Sequence, residues 1–155
     1  MRQWGVRLLF MLYCLILFYV LFGVRIQYGG ASFSGSMWEY AKMHINFIPI
    51  KTIGEYIRAA KEGTINIQII LKNLLGNLLL FFPMGIYWAF RRKEESIGKF
   101  ILNMLMILLM IELLQFLTKL GSFDVDDFIL NLTGSLGGFW LGKIANHRIR
   151  ANLFI

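Results

Sequence analysis

Four apolar runs, at residues 6–24, 74–90, 101–120 and 128–144, are each about long enough to cross a bilayer as a helix. Together they take up much of a 155-residue chain that is 57% hydrophobic and only 16% charged, which argues against an ordinary soluble domain and against disorder. The expected fold class is therefore all-α: an integral membrane bundle of about four transmembrane helices, read as a single membrane domain over residues 1–155. The first run is longer than the apolar core of a secretory signal peptide, and no small-residue cleavage site follows it at Gly29-Gly30-Ala31-Ser32. It is read as a span.

Between the first and second runs the composition turns mixed and polar, with Gly29, Gly30, Gly35 and Gly63 as punctuation. Thr52-x-x-Glu55 has the spacing of a capping box, in which each side chain satisfies an exposed backbone N–H. A short helix over residues 53–61 is expected to follow it. Ile53, Tyr56, Ile57 and Ala60 would share one face, while Lys51, Arg58 and Lys61 lie elsewhere, as suits a helix lying on the membrane surface in the first outer loop.

The net charge of +7, from 16 Lys and Arg against 9 Asp and Glu, is read through the positive-inside rule. With both termini cytoplasmic, the inner face of the membrane holds Arg2, Arg7, Arg91, Arg92, Lys93, Lys99, Lys143, Arg148 and Arg150. The outer face then holds the long first loop and the acidic turn of Asp124, Asp126 and Asp127. The basic excess is assigned to these flanks and to anionic lipid, so nucleic acid is not expected as a partner. The single Cys14 can form no internal disulfide, and no zinc-type spacing of Cys and His occurs.

Polar residues within spans are expensive in hydrocarbon and mark candidate sites. Glu112 is placed roughly 12 Å below the outer end of the third span, with Gln115 on the same helical face. Asn73 and Asn77 share one face near the outer end of the second span, and Pro83, followed by Gly85, predicts a kink below them. Asp124, Asp127, Asn131, Gly134 and Gly138 recur at spacings of three and four, forming one helical stripe. Its two acids fit an N-cap and the partner three residues on. Gly134, Gly138 and Gly142 form a small-residue ridge that admits another helix, from this chain or from a second copy.

Asn77, Glu112, Gln115, Asp124, Asp127 and Asn131 are thus the candidate ligand-binding residues, expected in the outer half of the membrane. No metal or cofactor is called for. Two readings compete. In the favoured one the site binds or shields an amphiphile, with the amides giving directional hydrogen bonds, Glu112 and Asp127 favouring a cationic or hydroxyl-rich headgroup, and Lys51, Arg58 and Lys61 holding phosphate. In the other, Glu112 and Asp127 serve as acid and base in an enzyme acting on a lipid or cell-wall-precursor headgroup, with a divalent ion at Asp124, Asp126 or Asp127. No embedded His or convincing nucleophile supports the second, and Ser122, Thr133 and Ser135 stand isolated. A bare helical scaffold is a third possibility.

The chain also resembles a known family, the VanZ-like membrane proteins. The resemblance covers residues 46–142 and rests on Asn46-Phe47-Ile48-Pro49, Asn77 with Phe81-Phe82-Pro83-Met84-Gly85, Glu112-x-x-Gln115, and Phe123-Asp124-Val125-Asp126-Asp127 leading to Asn131-x-x-Gly134. Each piece is weak by itself; all four in order are specific. The resemblance implies a small multi-span protein of the bacterial plasma membrane, and a link to teicoplanin resistance through the member that names the family. With that link, the amphiphile of the favoured reading is expected to be a lipoglycopeptide or a cell-wall lipid precursor; the resemblance supplies no catalytic residue.

Overall fold

Long apolar stretches with few helix breakers dictate a mostly helical chain, and the computed structural model, which describes residues 2–27, 33–92 and 96–151, is built that way. Helix α1 (Arg2–Phe18) continues through a π-helical turn (Tyr19–Gly23) into α2 (Val24–Gln27). Then come α3 (Met37–His44), β1 (Ile45–Asn46), α4 (Lys51–Glu62), α5 (Ile67–Leu80), α6 (Phe82–Arg91), α7 (Ile97–Leu117), β2 (Phe123–Asp124) and α8 (Val125–Ala151). Three helical stretches are long and apolar enough to cross a membrane: Trp4–Gln27, Ile67–Arg91 and Ile97–Leu117. The fourth apolar run lies within α8, whose 27 residues include Asp, Asn, Ser and several Gly.

The chain forms two compact units, Met1–Phe47 with Leu109–Asp124, and Ile48–Leu108 with Val125–Ile155. In the second unit α5 and α6 pack on α8. Contacts climb both partners together: Asp127 meets Asn77, Gly134 meets Leu78, Gly138 meets Phe82, and Gly142 meets Ile86 and Ala89. The helices therefore run parallel. A methyl group added at Gly134 or Gly138 would collide with the backbone carbonyl of Leu78 or Phe82, and one at Gly142 would come 2.7 Å from Ala89 Cβ. Gly85 of α6 has the same relation to Ser135 of α8. The ridge that the sequence could equally have offered to a second copy lies along the chain's own α5 and α6. Phe100, at the start of α7, stacks on Phe139 with centroids 4.3 Å apart and takes the edge of Trp88, closing this core with Met104 and Leu108.

The expected break at Pro83 is present, as an interruption rather than a gentle kink. Phe81 leaves helical geometry at φ −98°, ψ 1°, and α6 restarts with proline in its first turn, where a missing N–H is harmless. The helix before it begins at Ile67, seven residues ahead of the expected 74, because Asn66 caps it by accepting from Gln68 N at 2.8 Å.

The first unit pairs β1 with β2 in parallel, Ile45 opposite Phe123 and Asn46 opposite Asp124. The helix expected to reach residue 120 ends at Leu117, because Lys119 adopts the left-handed conformation at φ 54° and the Leu120 and Gly121 N–H groups fold back onto the Gln115 carbonyl. A capping box does occur in this unit, at Ser36-x-x-Glu39 before α3: Glu39 N donates to Ser36 Oγ, and Ser36 N to Glu39 Oε2 at 2.9 Å. The spacing is plain in the sequence.

Gly134→Ala is expected to lower stability by about 1–3 kcal/mol by wedging α8 off α5. Gly76→Ala, where an added methyl group meets nothing within 4 Å, should leave stability unchanged or raise it by up to about 1 kcal/mol. Thermal unfolding in detergent reads both, and equal effects would contradict the packing.

Candidate functional site

In the second unit the polar residues gather where α8 begins. α8 opens with Asp126 and Asp127, carboxylates stabilised by the exposed N–H groups and positive dipole end of its first turn. They look different ways. Asp126 is 1% exposed and reaches α4, its Oδ1 accepting from Ile50 N and its Oδ2 from Ile53 N at 3.0 Å. Those are the two backbone donors that a capping box would satisfy, here both served by one carboxylate from another helix. The box expected at Thr52-x-x-Glu55 does not cap α4. Its helix starts one residue ahead of Thr52, at Lys51, and Ile50 is the cap residue, in the left-handed conformation at φ 66°. A β-branched residue is strained there. The Asp126 bond holds it in place.

Asp127, half-buried, accepts through Oδ1 from Asn77 Nδ2 of α5. An amide of the second apolar run and the acid that precedes the last are thus joined directly, as a charge-assisted bond of the stronger kind. Asn73, one turn before Asn77, donates to Tyr56 Oη at 3.0 Å, tying α5 to α4. Asn131, one turn beyond Asp127, is 4% exposed. Of the four α4 residues expected to share one apolar face, Ile53 and Tyr56 turn toward the fold with buried Ala59, whereas Ile57 and Ala60 are exposed.

In the first unit Glu112 and Gln115 are both buried on one face of α7, 5% and 2% exposed. Gln115 Nε2 donates to the Leu21 carbonyl at 3.0 Å, within the π-helical turn. A π-turn widens the backbone ladder, and such turns are frequent at functional positions. Asp124 is buried in β2 and accepts from Asn46 Nδ2 at 2.9 Å. Its partner is the asparagine of the Asn46-Phe47-Ile48-Pro49 motif. Two carbonyls after α7 are met by donor side chains, Arg25 Nη1 donating to Leu120 O at 3.0 Å and Tyr40 Oη to Gly121 O at 2.8 Å, while Lys119 from the same turn donates through Nζ to Gly35 O, ahead of α3, at 2.8 Å. Burial pushes the Tyr40 phenol above its usual pKa, with the Arg25 charge acting the other way. It remains a donor at neutral pH.

The six candidate residues thus divide between the units, Asn77, Asp127 and Asn131 in one and Glu112, Gln115 and Asp124 in the other. Asn77 and Asp127 are directly bonded to each other. Asp126, Asn46, Arg25 and Tyr40 are polar participants that sequence reasoning left outside the set. Asn46 stood in a quoted motif; the partners of Asp126 lie 73 and 76 residues away and leave no local signal. Thr133 and Ser135 donate to Ile129 O and Leu132 O of their own helix, as isolated hydroxyls in a helix do. Among the described residues no group of three or more His, Cys, Asp or Glu is placed to hold a metal ion.

Apolar helices of spanning length, parallel packing on a glycine ridge, and amides and acids collected at helix ends define a helical membrane protein. The chain belongs to the VanZ/LLP1 family, which matches residues 10–146. It is similar to Protein VanZ of Enterococcus faecium, with 25% identity over 111 residues, 72% of this chain and 60% of that protein. The match therefore spans about three-fifths of that relative's length. No solved structure matches the chain.

Asp126→Ala is expected to destabilise by about 1–2 kcal/mol through loss of the cap, and to speed hydrogen exchange at the Ile50 and Ile53 amides. Asp126→Asn, which keeps one acceptor oxygen, should fall between. Unchanged exchange at both amides in Asp126→Ala would contradict the capping role.

Proposed function

We propose that the protein binds or shields an amphiphilic cell-envelope ligand at the outer leaflet of the bacterial plasma membrane, and that it is linked to glycopeptide resistance of the teicoplanin kind. The observation that carries this reading is the Asn77–Asp127 bond, which puts an amide and a carboxylate of two helices at one end of the α5–α8 contact. A carboxylate with an oriented amide suits hydroxyl-rich or cationic headgroups. Glu112, Gln115, Asp124 and Asn131 complete the proposed ligand-binding set.

The topology that goes with it has four spans, the fourth within α8, and both termini in the cytoplasm. Parallel α5–α6 and α8 support the direction: Arg91 and Arg92 end one, and Lys143 and Arg148 lie toward the end of the other, so the second unit keeps these bases at one end and Asp126 and Asp127 at the opposite end. Basic flanks face the cytoplasm. In this arrangement α3 and α4 lie on the outer surface. α3 exposes Trp38 with Lys42 Nζ 5.1 Å above its ring, and α4 exposes Ile57 between Lys51, Arg58 and Lys61, the mixture expected at a headgroup layer.

In a teicoplanin-sensitive strain made to express this chain, the wild type is expected to raise the inhibitory concentration, and Asp127→Leu and Asn77→Leu are each expected to return it to that of cells lacking the protein, at equal membrane abundance. Tolerance unchanged in both variants, or none conferred by the wild type, would contradict the reading.

A further inference from the structure

Asn131 carries a polar atom that the fold does not engage. It is 4% exposed, yet its side-chain oxygen Oδ1 accepts no hydrogen bond among the described residues. Folded proteins rarely leave a buried acceptor unmade, because the group has given up water for nothing. The bonds that side-chain donors make on α8 and across the α5 contact go to other acceptors. Asn77 Nδ2 serves Asp127, Ser135 Oγ serves Leu132 O at 2.8 Å, and Thr133 Oγ1 serves Ile129 O at 2.6 Å.

Helical spacing fixes which way Asn131 points. It lies four residues after Asp127, which meets Asn77 of α5, and three before Gly134, which meets the Leu78 carbonyl of the same helix. Asn131 therefore sits on the α5-facing side of α8, one turn below the Asn77–Asp127 pair. Helix α5 belongs to an apolar stretch long enough to cross a membrane, so a molecule reaching this depth carries an apolar part.

We propose that Asn131 Oδ1 is the acceptor for a hydroxyl of an uncharged amphiphile headgroup that enters beside the Asn77–Asp127 pair, at the polar end of the α5–α8 contact and ahead of the glycine-packed stretch. Competing headgroups fit less well. A phosphodiester has no hydrogen to donate and is repelled by Asp127, and a quaternary ammonium has no N–H. A primary ammonium would have to shed its water to reach a residue 4% exposed, a cost that Asp127, already engaged by Asn77, offsets only in part. A hydroxyl donates to Oδ1 and can accept in return from a carboxamide N–H. The inference rests on the proposed function for the place of the site, and not for the identity of teicoplanin as ligand.

The test is run on purified full-length protein in lauryldimethylamine oxide, a detergent whose headgroup accepts hydrogen bonds but donates none. n-Octyl-β-glucoside, which brings hydroxyls, is titrated in, and the melting temperature gives the half-saturating concentration. The wild type is expected to show a saturable rise. In Asn131→Leu, with a side chain of similar size and no orphaned acceptor, the melting temperature without glucoside should equal or exceed that of the wild type, while half-saturation moves up about tenfold, the worth of one hydrogen bond. Asn131→Ala, smaller than the native residue, is the second variant and should show the same displacement.

A wild-type response retained by both variants, no response in the wild type, or a rise with n-octylammonium alone would each overturn the proposal. A glucoside response lost with Asn131 alongside no response to teicoplanin would leave it standing while the teicoplanin link fell. A teicoplanin response indifferent to Asn131 would do the reverse.

Discussion

Everything in the second unit depends on backbone touching backbone. Where α8 presents Gly134, Gly138 and Gly142, the carbonyls of Leu78 and Phe82 and the turn at Ile86–Ala89 occupy the space that side chains would have filled. In lipid there is little hydrophobic gain from pressing two apolar helices together, so close van der Waals approach and polar bonds must do the joining. The glycine ridge supplies the first. It also sets the axial register, and that register puts Asn77 opposite Asp127.

Carboxylates and cations in both units act mainly on helix ends belonging to other segments. Asp126 serves the N-terminus of α4 and steadies the left-handed Ile50, Arg25 and Tyr40 serve the carbonyls that follow α7, and Lys119 serves the Gly35 carbonyl ahead of α3. These are long-range versions of capping, and they hold in place the elements next to the family's Asn46-Phe47-Ile48-Pro49 motif. A helix end in or near a membrane has less water to satisfy its orphan groups, which raises the value of such bonds.

The sequence disclosed some of this. Periodicity revealed the glycine ridge and the polar stripe above it, Pro83 revealed the break in the second apolar stretch, and ordered motifs revealed the family. Boundaries were less legible: α7 stops at Leu117 because Lys119 takes a left-handed turn, a conformation that nothing in its side chain announces. The capping box was assigned to the wrong place, since Thr52-x-x-Glu55 has the right spacing but lies inside a helix already capped by Asp126. Tertiary partners separated by more than seventy residues leave no mark on local pattern. That is why Asp126, one of the most buried carboxylates, was first read only as part of an acidic turn or as a possible ion ligand.

The central claim is that α5 and α8 meet through a specific amide–carboxylate bond at the polar end of a glycine-lined contact. A double-mutant cycle over Asn77→Leu and Asp127→Leu, read by unfolding in detergent, tests it most directly. The account predicts a coupling energy of about 1–3 kcal/mol between the two positions, with the double variant less damaged than the sum of the singles. Strictly additive losses would contradict it.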